Sequence, residues 1–397
     1  MTKGLAAILS SRYLPDVVAL GLFWFPQSLA ALAFLFGPAA RESGGASWRR
    51  RSWIVAAWAA SGGLATLGFM FRFRRVANFL PNRWGNWVHT GAMLWALFAL
   101  LMITAYAVSA LVPRPRSGHN PARRAFLRSA KTAVLTTPVA VIGYGTFVQR
   151  FRLTMREQDV HIPGLHPDLE GVRIAQLTDI HLSPFLSARD LERAVDMANE
   201  TRPDLMVVTG DLITSEDDPL DDCLSILSRL RASSGVYGCM GNHEIISGSE
   251  HYTQVEGARL GMNFLRQQST LLRFGAAELN LVGVDYQRFH RPYLRRAERL
   301  IVPAAFNVLL SHNPDVFPVA AQKGFPLTLA GHTHGGQVRV EILGQDLNVA
   351  RFFTPFVDGL YRKENAAIFV SRGIGTIGLP ARLGAPPEVA LLKLCRT

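Results

Sequence analysis

Five short polar blocks in the second half of the chain hold residue types that bind divalent metals. They are Asp179-x-His181, Gly210-Asp211, Gly241-Asn242-His243-Glu244, His312 and Gly331-His332-x-His334. Carboxylate, amide and imidazole are the hard-to-borderline donors that divalent transition ions prefer, and no thiolate is needed. Asp179 and His181 are one residue apart, so an extended backbone turns both side chains to one face, and His332 with His334 repeats the spacing. Two such pairs, from strands distant in sequence, can clamp one ion. Asp211 can place its two carboxylate oxygens on two ions, while Asn242 supplies an amide oxygen and His312 an imidazole. Two ions about 3.5–4 Å apart can activate a water and stabilise the oxygens of an in-line displacement. His243 directly follows a candidate ligand and is placed to protonate a leaving-group oxygen or to hydrogen-bond a phosphoryl oxygen. Taken singly, an Asp-x-His or a Gly-Asp is an ordinary surface turn. The ordered recurrence after separate apolar runs is what points to one site. His161, His166, His251 and His290 lack that context and read as ordinary.

The elements that must hold these blocks alternate between strand and helix from about residue 160. Runs at 172–177, 205–209, 236–240, 306–310 and 327–330 read as buried strands, each ending at one of the blocks. Residues 270–274 and 278–284 read as a hairpin, and 366–371 and 389–394 as later strands. Ser187-x-x-Asp190 opens a helix that runs to about Glu200, with Pro203 at its exit. A second helix is expected over 220–231. Such alternation implies a layered α/β domain with its ligands gathered at the carboxyl ends of strands. Glycines 210, 241, 331, 335 and 336 fit tight turns where backbone approaches ligand or ion.

The first part of the chain is of another kind. Of the 42 basic residues 19 fall in residues 1–156, against two of the 30 acidic ones, so that part carries about +17 and the remainder about −5. Nucleic-acid binding would put basic residues around the chemistry, and they are absent there. Hydrophobic content of 49% and a positive mean hydropathy are high for a wholly soluble enzyme. Uncharged stretches at 17–36, 53–71 and 88–112 are long enough to cross a bilayer, with a shorter fourth at 132–149. Residues 123–128, Arg-Arg-Ala-Phe-Leu-Arg, resemble a twin-arginine export signal, although internal; the alternative is a basic juxtamembrane anchor. Counting Lys and Arg in the loops favours an outward-facing second half by a narrow margin. The expected organisation is a transmembrane region over 1–150 and a catalytic domain over 160–397. Cys223, Cys239 and Cys395 show no metal-like spacing and no disulfide framework.

Residues 171–397 resemble the calcineurin-like metallophosphoesterases, in particular their membrane-anchored bacterial branch. The strings that carry the likeness are QLTDIHLS, VVTGDL, GNHE, LLSHNPD, AGHTHGGQ, VSRGIGT and LGAPPEVALL. The resemblance implies a four-layer αββα sandwich with a dinuclear centre of divalent ions (Mn, Fe, Zn or similar). By motif, Asp179, His181 and His334 would hold one ion, Asn242, His312 and His332 the other, and Asp211 would bridge. His243 would be the acid or transition-state partner. Thr214 stands where the family often has an acid, which leaves the ligand set intact and changes what supports it.

The reaction class is hydrolysis of a phosphate ester or anhydride by metal-activated water, and phosphodiesterase, phosphomonoesterase and pyrophosphatase remain open. Arg372 and Arg382 are candidates for contacting substrate phosphate. The insert 338–361 carries Phe352, Phe353 and Phe356, which are expected to pack inward, the alternative being an apolar wall for a lipid tail. A polytopic anchor in a bacterial inner membrane makes a lipid-borne substrate reasonable, and the twin-arginine machinery a partner. A membrane sensor or binding protein with a vestigial phosphoesterase domain is the other reading; the complete ligand set argues against it. Transport is disfavoured, because charged residues are absent from the middle of the spans.

Overall fold

The computed structural model describes residues 48–70, 82–111, 121–287, 293–342 and 345–397, with scattered positions between 21 and 35. The expected stretch 17–36 therefore lies largely outside the described residues. The chain divides into two compact units, Met1–Tyr144 and Gly145–Thr397.

The first unit holds helices α1 (Trp48–Met70) and α2 (Asn82–Leu111), joined through contacts such as Trp95 Nε1 to Ser61 Oγ at 2.9 Å. Helix α3 (Pro121–Phe147) begins eleven residues before the expected 132, so the Arg123–Arg128 segment forms its first turns. Pro121 sits in the opening position, where a missing N–H costs nothing. Among the described residues one helix, Pro121–Phe151 with its short 3-10 tail, is long and apolar enough to cross a membrane.

The second unit is built on two six-stranded sheets, with a separate two-stranded ribbon of β10 (Arg339–Ile342) and β11 (Gln345–Asn348). The first runs β1 (Thr154–Ile162), β14 (Glu388–Arg396), β2 (Arg173–Leu177), β3 (Leu205–Val208), β4 (Val236–Gly238), β5 (Met262–Phe264). The second runs β12 (Gly359–Lys363), β13 (Ala366–Val370), β9 (Leu327–Ala330), β8 (Phe306–Leu310), β7 (Ala277–Gly283), β6 (Gln268–Phe274). Strands β2 to β5 are mutually parallel, as are β7, β8, β9 and β13, so their carboxyl ends lie on common edges.

Side chains alternate across these strands. Ile174, Leu205 and Val207 pack toward Leu279, Val308, Leu327 and Phe369 of the second sheet. Their neighbours Ala175, Leu177, Met206 and Val208 pack toward Leu191, Val195 and Leu224 of helices α4 (Ala188–Glu200) and α5 (Leu220–Leu227). On the far side, Leu309 and Ala330 meet Ala320, Val316 and Phe317 around helix α6 (Phe317–Lys323). The order is helix, sheet, sheet, helix: the four-layer αββα sandwich. Its core strands read as continuous apolar runs because both faces are covered.

The starts and stops of the elements have local causes. Ser187 caps α4 with its side chain on the Asp190 N–H, while Asp190 bonds back to the Ser187 N–H. Helix α5 ends four residues before the expected Arg231. There the Asn199 side chain donates to Arg229 O at 2.9 Å and accepts from Arg231 N–H at 2.8 Å, so tertiary bonds replace the last helical turn. Strand β1 was not visible in the sequence, because its half-wet Thr-Met-Arg-Glu-Gln-Asp opening hides the extended pattern. It pairs in parallel with β14 over nine residues.

The insert divides its aromatics. Phe356 packs edge-on against Phe317 and Tyr361. Phe352 and Phe353 are 87% and 61% exposed, which corrects the inward packing expected for them.

Candidate metal centre

All five polar blocks meet at the carboxyl-end edge of the two sheets. Ligating atoms of Asp179, His181 and His334 lie within 4.8 Å of one another, as do those of Asp211, His312 and His332, and those of His181, Asp211 and His243. Asp211 links the groups. Its Oδ2 is 3.0 Å from His312 Nε2 and 3.5 Å from His181 Nε2.

The route by which the side chains converge differs from the extended geometry expected. Asp179, His181, Asp211, His332 and His334 all have φ between +49° and +76°, five of the eleven non-glycine residues with positive φ among those described. An L side chain in that region costs of order 1–3 kcal/mol and persists where its surroundings over-determine it. Those surroundings are present. Past their strand ends, 179–182 runs beside 210–212, with Asp179 N–H on Gly210 O, His181 N–H on Asp211 O and Leu182 N–H on Leu212 O. The His332 N–H reaches both Asp179 oxygens at 3.0 Å. A Cβ on Gly331 would stand 2.2 Å from Asp179 Oδ2, and one on Gly241 2.1 Å from Asp211 Oδ1, so both positions exclude any side chain.

Glu244 is the organiser that the sequence did not reveal. Fully buried, it accepts the N–H groups of Gly241 at 2.6 Å, Leu212 at 2.8 Å and Asp211 at 3.0 Å. Burial and the nearby Asp211 charge push its pKa up, and the three amides oppose them. Thr214, at the position where an acid is common in the resembling family, serves two histidines. Its hydroxyl is 3.2 Å from His181 Nδ1 and its carbonyl accepts from His243 Nδ1 at 2.7 Å. Tyr286 was also missed: its hydroxyl lies 3.4 Å from His332 Nε2 and its ring 6.0 Å from that of His312. It follows the carboxyl end of β7, so strand-end position was the signal that could have found it.

The electrostatics suit cations. Burial, with neighbouring positive charge from His243 and His312, holds His181 and His332 neutral down to about 3, and burial takes His334 well below its ordinary value. Neutral imidazole is the form that binds metal. His312 is the exception: burial lowers it, but Asp211 and Asp179 together push it up to about 10. Burial raises Asp179 to about 6, and His312 pulls against it. The two carboxylates thus favour positive charge between them. One buried acceptor at the centre, Asn242 Oδ1, also has no protein partner. Orphaned buried acceptors are costly in a folded protein, so the donor set fits divalent metal.

The two arginines proposed for substrate are otherwise employed. Arg382 is fully buried, and its guanidinium donates to the carbonyls of Gly375, Ala385, Arg372 and Gly373. It braces the closing Gly-rich segment and has no face for a ligand, which corrects its assignment. Arg372 is ion-paired with Asp358 at 2.8 Å and lies 3.6 Å from Glu388.

Comparison with known proteins agrees with the site. The family model described as calcineurin-like phosphoesterase matches residues 172–336. The chain is 27% identical to the uncharacterized metallophosphoesterase YkuE of Bacillus subtilis (strain 168), over 69% of this chain and 98% of that protein. It is 31% identical to the transmembrane protein with metallophosphoesterase domain of Bos taurus, over 68% of this chain and 63% of the relative, so under two thirds of that longer protein is matched. With the phosphodiesterase YaeI of Escherichia coli (strain K12) it shares 30% identity, over 56% of this chain and 82% of the relative. A buried set of imidazoles around shared carboxylates and this breadth of likeness lead to one assignment: the chain belongs to the calcineurin-like metallophosphoesterase family.

Proposed function

We propose that this protein is a membrane-anchored phosphohydrolase whose centre holds two divalent ions. Asp179, His181 and His334 would take one, Asn242, His312 and His332 the other, with Asp211 shared. The observation that carries this reading is the place of Asp211 Oδ2, between His312 Nε2 at 3.0 Å and His181 Nε2 at 3.5 Å. When bound, the ions supply an activated water and stabilise charge on the phosphoryl oxygens. The chain's own residues supply the rest. Glu244 fixes the backbone of Asp211 and Gly241, so the ligands do not reorganise as charge develops. His243 donates Nδ1–H to Thr214 O, which leaves Nε2 as the nitrogen able to hold a proton for the leaving-group oxygen.

The test is hydrolysis of bis-p-nitrophenyl phosphate by the full-length protein. His243→Ala should lower kcat by about 10²–10⁴-fold with bound metal retained, as loss of a general acid does. Undiminished turnover would remove His243 from the mechanism.

A membrane-borne phosphate ester is the substrate class proposed, supported by the apolar helix Pro121–Phe151 immediately before the catalytic fold. Further crossings, an outward-facing domain and use of the twin-arginine machinery rest on the loop arginines and the Arg123-Arg124 pair. Reporter fusions at residue 397 check them: fluorescence from a cytoplasm-only fluorophore would contradict the outward orientation.

A further inference from the structure

We infer that Phe352 and Phe353 form a bilayer-docking surface that holds the mouth of the metal centre against the membrane. Phe352 and Phe353 are vicinal phenylalanines at 87% and 61% exposure. Phe356, four residues on, is packed against Phe317 and Tyr361. Isolated apolar side chains on a surface need no account; an adjacent pair at the rim of a site does. The pair ends the turn Val349–Phe352, which starts at Asn348. The buried Asn348 side chain donates to Gly335 O at 3.1 Å, one residue from His334. Exposed Arg351 precedes the pair, giving the basic and aromatic composition of surfaces that lie in a lipid interface.

The anchoring of the insert says what covers it. Gln337 and Arg339 bond to Leu383 across a bridge, with Leu383 N–H on Gln337 O and Arg339 N–H on Leu383 O. The residues flanking Leu383 receive the end of the apolar helix: Arg382 N–H donates to Gly145 O, and Gly384 N–H to the Gln149 side chain. One three-residue segment therefore fastens both the base of the Phe turn and the chain emerging from the proposed membrane helix. That end is itself apolar and exposed, at Phe147 and Val148. A lipid surface is the occupant that the proposed membrane helix would bring to that end.

The inference rests on the membrane-anchored phosphohydrolase reading, and the test separates the two. The three native cysteines are buried, so Phe352→Cys can be labelled selectively with an environment-sensitive fluorophore, with exposed Arg273→Cys as control. The full chain is reconstituted in phosphatidylethanolamine–phosphatidylglycerol vesicles carrying shallow nitroxide lipids. The probe at 352 should be quenched about twofold or more beyond the probe at 273, as expected for a side chain at headgroup depth. Equal, water-like emission at both positions would overturn the docking surface. Shielding of 352 from aqueous iodide without nitroxide quenching would mean a second protein copy covers it, which also overturns it. Bis-p-nitrophenyl phosphate turnover is read on the same vesicles: its loss in the wild type defeats the phosphohydrolase reading, whereas its persistence with an unquenched probe defeats only the docking.

Discussion

Two neighbouring regions of the second unit break the rule of burial in opposite senses. The metal centre takes Asp179, His181, Asp211, Glu244, His312 and His334 out of water, all at 3% exposure or less. The Phe352–Phe353 turn, tied to the same His334 loop through Asn348, leaves large apolar rings in solvent. A chain optimised only for stability would do neither, since buried charge and exposed apolar area are both unfavourable. Their coincidence at one edge teaches where function is concentrated: the polar inversion fits cations, and the apolar inversion fits a lipid surface.

The largest expected effect falls on the first region. Asp211→Asn removes the shared carboxylate charge but keeps the shape, and should lower bis-p-nitrophenyl phosphate turnover by about 10²–10³-fold or more, the scale of lost electrostatic stabilisation at an active centre. Circular dichroism should show the fold intact; near-wild-type turnover would break the inversion's link to catalysis. Next is Glu244→Gln. It touches no candidate ligand side chain, yet it weakens three charge-assisted bonds and should reduce metal affinity by about 10–100-fold, as loss of a group orienting ligands does. Titration with Mn or Zn by calorimetry reads this directly.

A third test uses acid on metal-stripped protein. His181 and His332 are held at about 3 in the fold, below their unfolded value of about 6.5. The folded state thus binds fewer protons, so their contribution to stability is intact above about 6.5 and falls as pH drops toward 3. Asp179, raised to about 6, acts in the opposite sense below that pH, but His334 adds to the two histidines. The denaturation midpoint should decline from pH 6.5 to 4.5; a flat profile would mean these imidazoles are not held neutral. The smallest effect belongs to the second region. Phe352→Ser with Phe353→Ser should change unfolding stability in detergent by no more than about 0.5 kcal/mol, as surface substitutions do. A larger loss would show that the rings pack and would dissolve the comparison.

The sequence made much of this legible, and the rest has physical reasons for staying hidden. Strands β8 and β9 were read to their observed ends, because buried parallel strands are uninterrupted apolar runs bounded by polar loops. The ligand blocks were legible since they terminate those runs. Their left-handed backbone was not: Asp and His are enriched at positive φ, but the enrichment is too weak to pick out positions where a neighbouring loop imposes it. Glu244 stayed hidden for a related reason: its partners are backbone amides, which carry no sequence signal. Arg382 misled because an arginine in a Gly-rich segment beside a phosphate site invites a ligand role. The same glycines expose the carbonyls that bury it.

The central claim, that the buried polar set is a metal centre, is tested most directly by counting ions. Purified full-length protein, dialysed against metal-free buffer and measured by inductively coupled plasma mass spectrometry, should carry about two divalent transition ions per chain, the content of a two-metal hydrolytic site. The Asp211→Asn variant should carry fewer. Less than one ion per chain in the wild type, after growth with Mn, Fe and Zn supplied, would contradict the account and favour a sensor built on a disused phosphoesterase fold.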